Sequence, residues 1–344
     1  MQGDGDSFAP SISEDGVVVA FESYATNLVA NDTNAVRDVF VWNGNDRAAG
    51  ARHVSVGPAG VEDDGDSIEA SVSGDGKVVA FSSRASNLAA GVSGINTFNV
   101  YRRDLVANVN TLISSDSGSL GVGGSHPALS ADGNRIAFYS FSDAIVPGDA
   151  NDLWDIFVYD HAAAAKKRVS LTSSGGERNQ GSESASRVVA PAISGDGKIV
   201  AYTTTATNVV PGDANGFQDV FVVDTSTNAV QRASVGTGGA EGNGDSPVGQ
   251  GERPSLSRDG KWVAFSTQAT NLGTGVGNVV MHDRVGGETR VVSSQTGSTV
   301  TRSSISFTGA YVAFGTWTPL DARFPSSGMF TRFTQVERAW WWID

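Results

Sequence analysis

Cysteine is absent from the 344 residues, which excludes disulfides, thiolate metal sites and cysteine nucleophiles. A chain of this size can bury an adequate core without cross-links, so the absence is compatible with an extracytoplasmic bacterial protein. Long apolar runs are missing as well. None approaches the roughly 20 residues that span a bilayer, so no membrane insertion is expected. The opening residues MQGDGDS have neither the basic start nor the apolar core of an export leader. If the protein is exported, that leader is expected to be missing from this sequence. Positive charge is scarce: 24 Lys and Arg stand against 37 Asp and Glu, a formal net charge of -13. Binding a phosphate backbone depends on Lys and Arg, so nucleic acid is not an expected partner, whereas divalent cations and cationic surfaces are compatible.

What is abundant is glycine, with 42 residues, and a repeated phrase. PSISEDGVVVAFES, SVSGDGKVVAFSS, PALSADGNRIAFYS, PAISGDGKIVAYTT and PSLSRDGKWVAFST are five copies, and SSISFTGAYVAFGT is a worn sixth. Their glycines, Gly16, Gly76, Gly133, Gly197, Gly260 and Gly309, recur every 49 to 64 residues. Such a period signals one supersecondary unit per repeat, stacked on its neighbours to share a core.

Within the fourth repeat, APAIS is followed by Asp196-Gly197 and then KIVAYTT. Asp-Gly between apolar runs marks a hairpin, because glycine tolerates positive φ. β-branched and aromatic residues suit KIVAYTT to a strand covered on both faces. After the polar loop ATNVVPGDANGFQ, DVFVVD is the expected third strand and VQRASVG the fourth. HAAAAKK, residues 161 to 167, reads as a broad turn, being short for a helix. The expected fold is therefore all-β, a six-bladed β-propeller of four-stranded antiparallel blades. One domain over 1–344 is expected, with blades near 8–67, 68–125, 126–187, 188–250, 251–300 and 301–344. GMFTRFTQVERAWWWID at the end offers outer strands for the last blade, and residues 2–7 read as the tail of an inter-blade loop. Trp340, Trp341 and Trp342 are expected to pack that blade or to dock a sugar or another domain.

The phrase P-x-[IL]-S-x-D-G-x-x-[VI]-A-[FY], followed later by D-[VI]-F-V, resembles the repeat of TolB-type (WD40-like) β-propellers. The subgroup carrying ATNL before DTNGxxDVFV is especially similar. Nearly the whole chain is covered. The resemblance implies the fold and an extracytoplasmic, secreted or periplasmic setting, while propellers of this kind serve as binding modules, as companions of hydrolase domains and as surface proteins.

Strand alternation places the Asp-Gly turns and the third turns at one end of every blade. Lys77, Arg102, Arg103, Arg135, Lys166, Lys167, Lys198 and Lys261 lie there. The long second loops and the linkers gather at the other end. A charge-polarised disc is expected, with its acidic, long-looped face as the functional surface.

Three of those loops carry D-x-N-x-x-x-D: Asp32, Asn34 and Asp38; Asp149, Asn151 and Asp155; Asp213, Asn215 and Asp219. Two readings stand. In one, these oxygens are ligands of a low-affinity calcium ion, although Phe217 occupies a position where a further oxygen is expected and no EF-hand glutamate follows. In the other, Asp and Asn form Asx-turns and the last Asp anchors the third strand. The equivalent loops of the second and fifth repeats lack the aspartates. Asn27, Asn87, Asn208 and Asn271 of the ATNL element persist even there, so they read as loop-closing hydrogen bonders. EDDGDS, residues 62 to 67, and GNGDS, residues 242 to 246, read as solvated linkers.

Catalysis finds little local support. His53, His126, His161 and His282 fall in different repeats, none beside an evident Ser and Asp pair, and neither G-x-S-x-G nor H-E-x-x-H occurs. The leading expectation is a noncatalytic binding or scaffold module, calcium-stabilised, with a protein or glycan partner. The alternative is a carbohydrate-active enzyme, a glycoside hydrolase or polysaccharide lyase, whose acid and base converge from separate blades.

Overall fold

The structure, a computed structural model, describes residues 2–90, 92, 97–117, 119–181, 183–184, 187–188, 190–247, 253–272, 278–293, 300–316 and 328–333. Trp340, Trp341 and Trp342 lie outside them.

Each repeat is organised by its Ser-x-Asp-Gly turn. Asp15 Oδ1 accepts from Ser13 Oγ at 2.6 Å and from the Val17 N–H at 3.0 Å, and Ser13 Oγ accepts from the Val18 N–H at 2.9 Å. Side-chain oxygens thereby satisfy the turn donors before the second strand starts. The closing glycine has φ of +72°, which a side chain would strain. The Ser-to-Asp bond recurs at Ser73, Ser130, Ser194 and Ser257. In the sixth repeat Thr308 replaces the aspartate and accepts from the Ala310 N–H.

Antiparallel meanders follow in chain order. Sheet one comprises Ser7–Ile12, Val18–Ser23, Asp38–Asn43 and Ala51–His53; sheet two Ser67–Val72, Val78–Ser83, Asn99–Asp104 and Val109–Leu112. Sheet three comprises Ser125–Leu129, Arg135–Ser140, Asp155–Asp160 and Ala165–Arg168; sheet four Ala192–Ile193, Ile199–Thr204, Asp219–Asp224 and Val230–Arg232. Sheet five comprises Ser255–Leu256, Trp262–Thr267, Asn278–Asp283 and Glu288–Val291; sheet six shows three strands, Val300–Ile305, Tyr311–Thr316 and Gly328–Phe333. A two-stranded ladder joins Glu183–Ser184 to Arg187–Val188. The all-β expectation holds. Among the described residues the helical content is one 3-10 turn at Pro58–Gly60, and no helix is long and apolar enough to cross a membrane.

Contacts divide the chain into two compact units, residues 1–152 with 157–168, and residues 153–156 with 169–344. In the first, Ala20, Val39 and Val41 of sheet one pack against Val72, Val79 and Phe81 of sheet two. Ala80, Val100 and Ile113 of sheet two pack in turn on Ile136, Phe138 and Phe157. In the second, Ala201, Val220 and Val222 meet Val263, Phe265 and Val280, and Trp262, Ala264 and Met281 meet Ile305, Val312 and Phe314. Second strands such as Val78–Ser83 and Ile199–Thr204 are buried along their whole length, as their unbroken β-branched and aromatic runs require. Across the second and third strands, Phe21 stacks on Phe40, Phe81 on Tyr101, Phe138 on Phe157 and Tyr202 on Phe221, with centroids 5.7–6.0 Å apart.

Two expectations need correction. Residues 161–164 form the turn, but Ala165–Arg168 is a strand paired with Phe157 to Asp160; pairing with the third strand outweighs the alanine run. The Asp-Gly end of the sheets is also less basic than expected, because several of its cations are paired with carboxylates. Lys77 pairs with Asp75, Arg135 with Asp160, Lys198 with Asp196 and Lys261 with Asp283, because each strand or turn brings its own carboxylate.

Candidate functional site

In sheets one to five a serine just beyond the fourth strand meets the start of the third. Ser55, Ser114, Ser170, Ser234 and Ser293 each accept the N–H of the strand's second residue, at 2.7–3.0 Å. Four of these hydroxyls then donate to the residue that opens the strand, Asp38, Asn99, Asp155 and Asp219. Aspartates at this position are consequently buried: Asp38 and Asp219 are 1% exposed and Asp155 is 0%. A buried carboxylate demands a cation as well as donors.

For Asp38 and Asp219 that cation comes from the fourth strand, two residues before the serine, and for Asp155 from the linker that follows. Cross-strand pairing sets His53 opposite Phe40, Leu112 opposite Tyr101, Arg168 opposite Phe157, Arg232 opposite Phe221 and Val291 opposite Val280. A basic residue occupies the position in the three sheets whose loops carry the aspartates, and an aliphatic one in the two whose loops lack them. Arg232 Nη1 stands 3.0 Å from Asp213, 3.6 Å from Asp219 and 2.5 Å from Glu241. Arg168 pairs with Asp149. Arg178, on the following linker, is 2.6 Å from Asp155 and also donates to the carbonyls of Ser170 and Trp154. The carboxylates of the calcium candidates at Asp149, Asp155, Asp213 and Asp219 thus face guanidinium groups.

The asparagines serve the loop itself. Asn215 Oδ1 accepts the Phe217 N–H at 2.9 Å, while Nδ2 donates to Asp219 Oδ2 and to the Gly242 carbonyl, both at 3.0 Å. Asn34 does the same for Val36 and for Asp63. Asn151 is half-buried in the equivalent turn. Around each, the backbone turns through the left-handed region twice, at Asn31 and Ala35, Gly148 and Asp152, Gly212 and Gly216. Ala35 has φ of +57° where Gly216 has +68°. Ala35→Gly should therefore raise the unfolding free energy by about 1 kcal/mol in urea titrations. Gly216→Ala should lower it by a similar amount, since nothing lies within 4 Å of an added Cβ and only the backbone is strained.

Burial pushes the Asp219 carboxyl up to about 6, outweighing Ser234, Asn215 and Arg232. An unfolded Asp titrates near 3.9, so the folded chain holds this proton more tightly. The stability it confers is complete below about pH 4 and is lost as pH rises through 6, on the order of 3 kcal/mol. Asp219→Asn should remove that component. The gap in unfolding free energy between wild type and variant should shift by this amount, against the wild type, between pH 4 and pH 7.

Sheet one differs from its counterparts. His53 Nε2 lies 3.1 Å from Asp38 Oδ1, 3.6 Å from Asp63 Oδ1 and 3.0 Å from Ser55 Oγ, and its ring stacks on Phe40. Contrary to expectation, a histidine does stand beside a Ser and an Asp. It is not a relay, because both partners address the same ring nitrogen and Ser55 is 0% exposed. Burial opposes charge on His53, but Asp38 and Asp63 prevail and raise it to about 9. Burial, with Asp38 nearby, lifts Asp63 to about 7.

The linkers are hydrogen-bonded to their neighbours and only partly solvated, with Asp64 and Asn243 exposed, which corrects a second expectation. Asp63 is 2% exposed. Asp64 accepts both the Ser86 N–H and its hydroxyl, while Asp66 accepts the Arg37 N–H. The ATNL asparagines close the same seam: the Nδ2 groups of Asn27, Asn87, Asn208 and Asn271 donate to the carbonyls of Gln2, Glu62, Glu177 and Glu241. Residues 2–6 occupy the linker position, while Ser7 already opens the first strand.

Elsewhere, Glu69 Oε1 meets His126 Nε2 at 2.9 Å. Both residues sit at first-strand positions with positive φ, +61° and +56°. Glu69 also accepts from Ser82 Oγ and from the His126 N–H, and Glu22 accepts the Glu69 N–H. These carboxylates satisfy the distorted inner strands. A cleft of about 430 Å³ is lined by Leu112, Ser115, Asp116, Ile145, Tyr159 and Lys166, but the Lys166 ammonium is bonded to Ser115.

No family model and no curated protein matches the chain. Solved structures do. The β-propeller domain of the Trilobed protease from Pyrococcus furiosus has a TM-score of 0.56 at 11% identity, over 98% of this chain and 84% of that one. Oligogalacturonate lyase from Vibrio parahaemolyticus has 0.56 at 13%, over 97% and 78%. TolB from Acinetobacter baumannii has 0.46 at 17%, over 83% of this chain and 53% of that one, so the chain spans about half of that protein. At such identities the likeness shows the fold alone, a β-propeller.

Proposed function

We propose that this β-propeller has six blades, sheets one to six, and acts outside the cytoplasm as a noncatalytic platform. Its long second loops would present a protein or glycan partner with a preformed surface. The observation that carries this reading is the inward direction of the loop carboxylates. Asp38, Asp155 and Asp219 are buried among hydroxyls and basic side chains, which holds the loops in one conformation and leaves their tips, such as Phe217 at 39% exposure, outside. The absence of cysteine and the acidic composition accord with the proposed location.

A lyase or hydrolase reading needs an acid and a base free to act on substrate. Glu69 is held ionised by His126 and already accepts three hydrogen bonds, which suits it to positioning strands. A photoreactive residue in place of Phe217, at a loop tip, should form a specific adduct with a glycan array or a periplasmic extract. One in place of Val285, exposed in the turn at the other end of sheet five, should not. Equal labelling at both positions, or release of product from pectic and other polysaccharides, would overturn the proposal.

A further inference from the structure

The three basic cages are copies of one design with unequal charge. In sheet three, Arg168 answers Asp149 and Arg178 answers Asp155. In sheet four, Arg232 answers Asp213, Asp219 and the half-exposed Glu241. In sheet one the Arg232 position is His53 and the Arg178 position is Asp63, so one imidazole faces both Asp38 and Asp63, which are 1% and 2% exposed.

A guanidinium offers five N–H donors and an imidazole at most two. The single Nε2 position is approached by Asp38, Asp63 and Ser55 together, and one proton cannot serve all three. The deficit is visible in the oxygens: Asp32 Oδ1 and Asp38 Oδ2 are buried without any hydrogen-bond partner.

We infer that sheet one binds a divalent transition-metal ion of the zinc class, through His53 Nε2, Asp38 and Asp63. The three donor atoms lie within 4.8 Å of one another. Two of the separations, 3.1 and 3.6 Å, match the roughly 3–3.6 Å between neighbouring ligands held about 2.1 Å from one ion. Ligand supports are in place: Ser67 donates to Asp63 Oδ2, Asn34 to Asp63 Oδ1 and Ser55 to Asp38, as outer partners of metal ligands do. An imidazole beside carboxylates selects a borderline ion over calcium, which takes six to eight oxygens. The metal would take the place that arginine fills in sheets three and four, and this inference stands apart from the partner-binding proposal.

The test uses the full chain, stripped with chelator and titrated separately with Zn²⁺, Mn²⁺ and Ca²⁺ by calorimetry and thermal melting. One Zn²⁺ per chain with a raised Tm is expected. His53→Arg, which copies the other sheets, should fold, bind no ion and melt at a temperature indifferent to Zn²⁺. Asn34→Ala should weaken Zn²⁺ binding about 10- to 100-fold. Should His53→Arg fail to fold, Asp63→Asn carries the same comparison. Equal Zn²⁺ binding by wild type and variant, no effect of Zn²⁺ on the wild type, or a response to Ca²⁺ alone would overturn the inference.

Discussion

Replacing Arg232 by leucine should lower the unfolding free energy at pH 7 by about 3–5 kcal/mol, because it strands Asp213 and Asp219 in a buried site. The loss should shrink below pH 5, where both carboxyls, already raised by burial, take up protons. Sheet two supplies the compensation. It carries Leu112 at the arginine position and Asn99 where Asp219 stands. Adding Asp213→Asn and Asp219→Asn to Arg232→Leu should recover most of the stability, since replacing a whole ion pair is far cheaper than breaking one. If the single and triple variants unfold at the same urea concentration, the carboxylates are not what the arginine stabilises.

Phe221→Ala should cost a similar amount, about 3–5 kcal/mol. The side chain is 0% exposed and stacks on Tyr202 with centroids 6.0 Å apart. The stack itself adds about 0.5–1.5 kcal/mol beyond the buried area. Phe221→Leu should therefore cost clearly less than the alanine variant, with an unchanged denaturant slope. Equal costs would mean that the cavity collapses or that stacking matters more than volume.

The features that could be read without coordinates are local ones. Ser-x-Asp-Gly is closed by bonds between residues two to five apart, and the apolar second strands declare their burial in their own composition. Asn87 was also legible, because it persists where the aspartates are gone. The partners of the aspartates were not, since Arg232 lies 13 and 19 residues beyond Asp219 and Asp213, on a strand whose register fixes the encounter. A signal existed. Writing the fourth strands beneath one another on Ser55, Ser114, Ser170, Ser234 and Ser293 gives the column His, Leu, Arg, Arg, Val two places earlier, which tracks the presence of the loop aspartates. The burial of Asp63 is hidden from the sequence for a different reason: charge in a glycine-rich linker suggests solvent, but hydrogen bonding folds this linker onto the neighbouring loops.

Those linkers also bear on how such a chain is duplicated or cut. Residues 62–67 are bonded backwards to Thr33, Asn34 and Arg37 and forwards to Ser86 and Asn87. Residues 241–246 do the same with Ala214, Gln218, Thr270 and Asn271. The glycine-rich stretch that looks like the natural place to divide one repeat from the next is thus a seam sewn to both. A circular permutant opened there would lose the fastenings of two blades at once. One opened at an Asp-Gly tip, such as residues 195–197, would keep every seam intact, so the portable module runs from hairpin tip to hairpin tip.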